Sequence, residues 1–271
     1  MTAGSVRAGP AASVQGGTRI ESAIRQARAA GRTAIAAFVT GGFPDLESFG
    51  ALLEATGREA DLVEVGVPFS DPMADGLTIQ RSSRTALERG ATLQWILEVV
   101  REAAGPAPIL LMSYLNPILA YGLDRLAGDA AGAGVAGFIV PDLPLEESDE
   151  LRETLRARGI ALVQLVTPAT PDGRLERVCR ASEGFVYAVT LRGTTGTAME
   201  PANVTDYLKR VRAATPLPVL AGFGVRTASD VRALTGAADG VIVGSALIEA
   251  IEEGRDPAAF VRGLRGEGED R

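Results

Sequence analysis

The segment "DLVEVGVPFSDPMADG", residues 61 to 76, begins with Asp61 and sets three further carboxylates, Glu64, Asp71 and Asp75, close together in the chain. Glu64 interrupts a run of Leu62, Val63, Val65 and Val67 that reads as a strand buried on both faces. An acid in such a strand is costly to bury unless it is paired or put to use. Side chains alternate along a strand, so Leu62, Glu64 and Gly66 share one face and the three valines share the other. Two carboxylates converging on one pocket can divide acid and base duties when their surroundings separate their pKa values. The structural alternative for Glu64 is an ion pair with an arginine on a neighbouring strand, yet no predicted strand carries Arg or Lys. Asp71 reads as a turn residue, whereas Asp75 either caps the next helix or faces Glu64.

The chemistry open to this chain is narrowed by what it lacks. Its 271 residues include no histidine, a single cysteine, Cys179, and a single lysine, Lys209. Ser-His-Asp and Cys-His nucleophiles are therefore excluded, and so is His- or Cys-ligated zinc, which leaves an all-oxygen cation site as the metal option. A Schiff base would need Lys209, whose place in "VTDYLKRVRAAT" reads as solvent-facing on an amphipathic helix. Chemistry is left to carboxylates, hydroxyls, arginines and backbone groups, with no metal and no cofactor expected. A net charge of −7 argues against a nucleic-acid or anionic-membrane surface. No apolar run reaches the length of a membrane span, and residues 1–18 lack the apolar block of a signal peptide, so a cytoplasmic protein is expected.

The elements that must position these groups alternate along the whole chain. Short β-branched runs begin at Ile35, Asp61, Pro108, Gly137, Ala161, Phe185, Pro218 and Gly240, and segments with helical apolar spacing separate them. Eight such units, preceded by the extra helix "RIESAIRQARAAG", predict an α/β fold: one (β/α)8 TIM barrel over residues 19–271 behind a flexible extension, residues 1–18. An open doubly wound sheet is the rival, but no G-x-G-x-x-G follows the first strand. In a barrel the valine face of the second strand packs on the helices and Glu64 points into the lumen, close to the mouth where barrel active sites are built.

Two further groups fall at that mouth. Gly222, Gly224, Gly244 and Ser245 follow the seventh and eighth strands, where backbone N–H groups and a helix N-terminus can approach a phosphate. Plain tight turns, with Ser245 as an N-cap, are the bland reading. The loop "LRGTTGTAMEP" after the sixth strand is either a lid or a long connection.

The string E-x-G-x-P-F-S-D-P-x-A-D-G, Glu64 to Gly76, with "TIQ" after it, resembles the signature of the tryptophan synthase alpha chain family. So do "NPILAYG" from Asn116, "GFIVPDLPLEES" from Gly137, "GTTG" from Gly193, "GFG" from Gly222 and "GSA" from Gly244, so that the likeness spans roughly residues 19 to 265. The resemblance implies cleavage of indole-3-glycerol phosphate to indole and glyceraldehyde 3-phosphate beside a beta chain, in an alpha2beta2 complex. It implies that Glu64 is the acid–base carboxylate and Asp75 the carboxylate meeting the indole nitrogen. Tyr187 falls near the glycerol end, Thr195 and Gly196 in the closing loop, and Phe223, Gly224, Gly244 and Ser245 on ring- and phosphate-binding positions. Three positions depart from the family pattern: Phe43 replaces an Asp, Leu77 a Pro, and Leu191 an Arg. A free-standing lyase that releases indole, and a non-catalytic regulatory barrel, are the alternative functions.

Overall fold

Apolar runs too short for helices and bounded by glycine or proline fold here as parallel strands. The computed structural model describes residues 15–103, 105–190, 201–222 and 224–266. Its strands are β1 (Ala34–Thr40), β2 (Leu62–Gly66), β3 (Ile109–Met112), β4 (Gly137–Ile139), β5 (Ala161–Val166), β6 (Val186–Val189), β7 (Val219–Gly222) and β8 (Gly240–Val243). They pair in sequence order and close into a barrel through β8 and β1. The helices are α1 (Gln15–Ala29), α2 (Leu46–Glu59), α3 (Leu77–Glu88), α4 (Leu93–Glu102), α5 (Leu115–Tyr121) and α6 (Leu123–Gly132). They continue as α7 (Asp149–Arg156), α8 (Asp172–Ala181), α9 (Pro201–Ala213), α10 (Ala228–Leu234), α11 (Ser245–Glu252) and α12 (Pro257–Leu264). All eight strands fall where the apolar runs predict them.

Alternation along the strands divides the core in two. Val63, Val65 and Leu111 belong to the outer layer between sheet and helices, whereas Ala36, Leu62, Leu110, Ala161 and Leu220 fill the lumen. The lumen layer also takes in Ile20, Ile24 and Ala27 from one face of α1, which closes the end of the barrel away from the mouth. This helix starts at Gln15, four residues before the predicted boundary of the barrel. Gly16 and Gly17 are buried, and the Gly16 amide donates to the Gly159 carbonyl at 2.8 Å, which ties the first turn to the barrel.

At that closed end three carboxylates fasten the starts of strands. Asp61 accepts from the Ile35 amide at 2.9 Å and pairs with Arg32 at 3.3 Å and Arg265 at 3.1 Å. Glu183 accepts from the Leu162 amide at 2.9 Å and pairs with Arg156 at 3.1 Å. Asp239 accepts from the Val219 amide at 2.8 Å and pairs with Arg28 and Arg212. Each carboxylate precedes one strand and holds the strand before it in sequence, so the charge serves the barrel's closure.

Candidate active site

Glu64 sits in β2 between Phe38 of β1 and Leu110 of β3 in register, on the same face as the lumen residue Leu62. Its side chain is fully buried, and neither carboxyl oxygen has a hydrogen-bond partner among the described residues. Burial alone pushes its pKa from 4.5 to about 8. The structural alternative is thereby removed, since no arginine pairs with Glu64 among the described residues. At neutral pH the group is a protonated acid buried without a partner, a state that native structures seldom leave unexplained.

Asp75 occupies the loop between β2 and α3. The N-cap of α3 is Gly76, with no side-chain cap bond, so Asp75 faces the mouth rather than serving the helix. It lines a narrow cavity with Phe38, Ile79, Met112, Tyr114 and Pro141. Burial raises its pKa, and a hydrogen bond from the Tyr114 hydroxyl partly offsets the rise. Asp71, by contrast, bonds the neighbouring Ser70 hydroxyl at 2.5 Å in the exposed part of the loop, as a turn residue does.

Tyr187 of β6 links the two carboxylates electrostatically. Its phenol is pushed well up, first by burial and then by the charges of Glu64 and Asp75. It is held from below by the aromatic ring of Phe185, with centroids 6.2 Å apart. Gly222 on β7 makes room for it, because a Cβ there would stand 2.7 Å from the Tyr187 ring. In the same way Gly66 admits the ring of Phe38, which a Cβ would meet at 2.4 Å.

The glycine turns after β7 and β8 differ in kind. Gly224 has φ +61, a left-handed conformation that suits glycine. Gly244 is the N-cap of α11, and its carbonyl accepts from the amides of Leu247 and Ile248 at 2.9 and 3.0 Å. Ser245 is therefore the first residue of the helix and not its cap, which corrects the bland reading. Helix geometry leaves the amides of Ser245 and Ala246 without intrahelical partners, an arrangement suited to an anion.

Two residues important to this geometry carried no motif in the sequence. The Tyr114 hydroxyl accepts from the Ala74 amide at 2.8 Å while bonding Asp75, so one phenol fixes the loop and orients its acid. Phe38 supplies a flat apolar wall beside both carboxylates. A signal for Tyr114 existed in its place two residues beyond β3, at the mouth by strand count. Thr195, Gly196, Phe223 and Leu191 lie outside the described residues. Of the other departures, Phe43 is buried in the outer core and Leu77 is 76% exposed at the start of α3.

A closed parallel barrel ringed by helices, with a buried acid that has no partner among the described residues in its lumen and a second acid near the mouth, is a (β/α)8 barrel with a candidate site at the usual end of the fold. The chain belongs to the tryptophan synthase alpha chain family, whose model matches residues 24–264. A tryptophan synthase alpha chain from Nitratidesulfovibrio vulgaris is 46% identical over 249 residues, covering 90% of this chain and 97% of the relative. Among solved structures, the tryptophan synthase alpha subunit of Legionella pneumophila superposes with a TM-score of 0.84 at 32% identity, covering 92% of this chain and 97% of the other. The tryptophan synthase a2b2 complex of Pyrococcus furiosus gives a TM-score of 0.79 at 37% identity, with 86% and 98% covered. The family's enzymes are lyases of tryptophan biosynthesis that cleave indole-3-glycerol phosphate to indole and glyceraldehyde 3-phosphate. This chain's activity is of that kind.

Proposed function

We propose that Glu64 and Asp75 carry this cleavage between them. Protonated Glu64 gives its proton to C3 of the indole ring, and positive charge develops at the ring nitrogen. Asp75, oriented by Tyr114, accepts a hydrogen bond from the ring N–H and stabilises that charge. The Glu64 carboxylate then takes the proton of the glycerol hydroxyl next to the ring. The carbon–carbon bond breaks, its electrons return to the indole, the hydroxyl carbon becomes the aldehyde, and Glu64 ends protonated as it began. Tyr187 lies at the glycerol end. The turns at Gly224, Gly244 and Ser245 receive the phosphate. The observation that carries this reading is Glu64 itself: buried, without a partner among the described residues, and with its pKa pushed up to about 8 by burial. Indole release by Glu64→Gln within a fewfold of the parent rate would overturn it.

The same reading makes this chain a cytoplasmic alpha subunit that docks a beta chain at the loop after β2. Phe69, Pro72, Leu77, Arg81 and Leu87 line a groove there, and Met73 and Leu77 are 84% and 76% exposed. Apolar side chains so exposed on a loop suit a partner's surface. The test is indole release with and without the beta chain of the same genome. Stimulation of about tenfold, or ~1.4 kcal/mol of coupling, is expected. Full activity alone, with no response to the partner, would identify a self-sufficient lyase instead.

A further inference from the structure

At the closed end of the barrel, α10, α12 and the chain entering β1 enclose a second cleft, of about 300 Å³. Arg32, Thr33, Arg232, Thr235 and Arg265 contribute its polar lining. Three arginines thus line one space in a chain whose net charge is −7. The carboxylate of Asp61 answers two of them, Arg32 and Arg265, and its own pKa is raised chiefly by burial. The Arg232 side chain has no hydrogen bond or ion pair among the described residues. The Arg265 side chain is tied through Nη2 to the Glu59 carbonyl at 2.5 Å and to Asp61, which leaves its other amino group, Nη1, buried without a partner. A buried guanidinium N–H left open in this way is an unmet donor beside the cleft.

The geometry points to an anion site: we propose that this cleft binds the phosphoryl group of a small phosphorylated metabolite, separately from the catalytic mouth. Planar guanidinium forks match phosphate oxygens in pairs, and a doubly charged oxyanion balances the cationic excess that Asp61 leaves. The hydroxyls of Thr33 and Thr235, 2.9 Å apart on the chain entering β1 and at the end of α10, stand beside the guanidiniums as further polar contacts. The cleft has room for a phosphate and a short carbon body. Occupation ties α10 and α12 to the chain entering β1, so the ligand stabilises the folded barrel by binding it alone. The inference does not rest on the catalytic assignment.

The test uses the full chain carrying Ser245→Asp, which places a negative charge at the mouth's anion position, titrated calorimetrically with inorganic phosphate and with glycerol 3-phosphate. One saturable site is expected, weakened at least tenfold by Arg232→Gln. The Arg232 side chain makes no internal bond among the described residues, so that variant should keep the parent's circular dichroism, and Arg232→Lys should recover part of the affinity. Tighter binding of glycerol 3-phosphate assigns the site to a phosphate ester, and tighter binding of phosphate assigns it to the free ion. No saturable binding of either anion, or equal binding by the Arg232→Gln protein, would overturn the proposal.

Discussion

The two ends of this barrel use the same residue types in opposite ways. At the closed end Asp61, Glu183 and Asp239 each accept from a strand amide and pair with at least one arginine. At the mouth Glu64 has no partner among the described residues and Asp75 has a tyrosine. Charge at the first end is compensated and holds strands in register. Charge at the second is left uncompensated, and burial moves its proton affinity toward neutrality. The difference comes from the neighbours: arginines from α1, α7, α9 and α12 reach the strand starts, while the lumen around Glu64 presents Phe38, Leu110 and Tyr187. The proposed catalytic role thus falls where the fold withholds partners from a polar group.

Substitutions at each end should separate these roles. The largest effect is expected for Glu64→Gln, which should lower kcat for indole release by on the order of 10²-fold or more, because the amide keeps the shape without exchanging protons. Substrate affinity, measured by calorimetry, should change little. The same variant should be more stable than the parent in alkaline buffer. The raised pKa means that the folded state holds a proton the unfolded chain releases above about pH 4.5, so stability from this group is complete below that and is lost as pH rises through about 8. The Tm advantage of Glu64→Gln should therefore grow across that window and level off beyond it. In the parent, kcat/KM should fall above about pH 8 as the acid is lost. A profile flat through that region would remove Glu64 from the acid role.

Asp239→Ala should behave in the opposite manner. It leaves the Val219 amide and two arginines unanswered, and a loss of about 2–3 kcal/mol in urea unfolding is expected with kcat preserved. If instead it silences the enzyme without destabilising it, the division between the two ends fails. Tyr114→Phe is intermediate: it removes the acceptor for Ala74 and the donor to Asp75, and kcat/KM should drop by about tenfold, roughly the worth of one buried hydrogen bond. Gly224→Asp should raise KM by a similar factor through repulsion of the phosphate. The smallest effect belongs to Lys209→Ala, on an exposed face of α9 with Asp206 3.4 Å away. Activity should be unchanged and stability within about 0.5 kcal/mol, whereas loss of turnover would revive imine chemistry.

The strands and the inward face of Glu64 were legible in the sequence because both follow from alternation, which is local. Whether that acid has a partner was only partly legible: the absence of strand arginines excluded one kind of pairing, but arginines outside the strands reach Asp61 and Asp239 all the same. Asp75 left two readings open, cap or mouth, because both place an acid just before a helix and only the path of residues 67–76 decides between them. Ser245 also left two readings open, phosphate donor or N-cap, and the second falls because the N-cap is set by where the backbone turns and Gly244 takes that place. Tyr114 escaped notice because its role depends on a loop some forty residues away. The start of α1 was set too late because glycines weaken a helical pattern, yet here Gly16 and Gly17 are what allow the helix to lie against β-strand ends.

The plug formed by α1 has a bearing on traffic. With Ile20, Ile24 and Ala27 seated in the lumen, the barrel is a cup and not a tube. A small, uncharged product such as indole then leaves by the mouth, the end that holds Asp75 and the loop after β2, and not through the end that α1 fills. A neighbour that seals that rim receives the whole output before bulk water dilutes it, and one docked anywhere else on the surface would collect only what had already escaped.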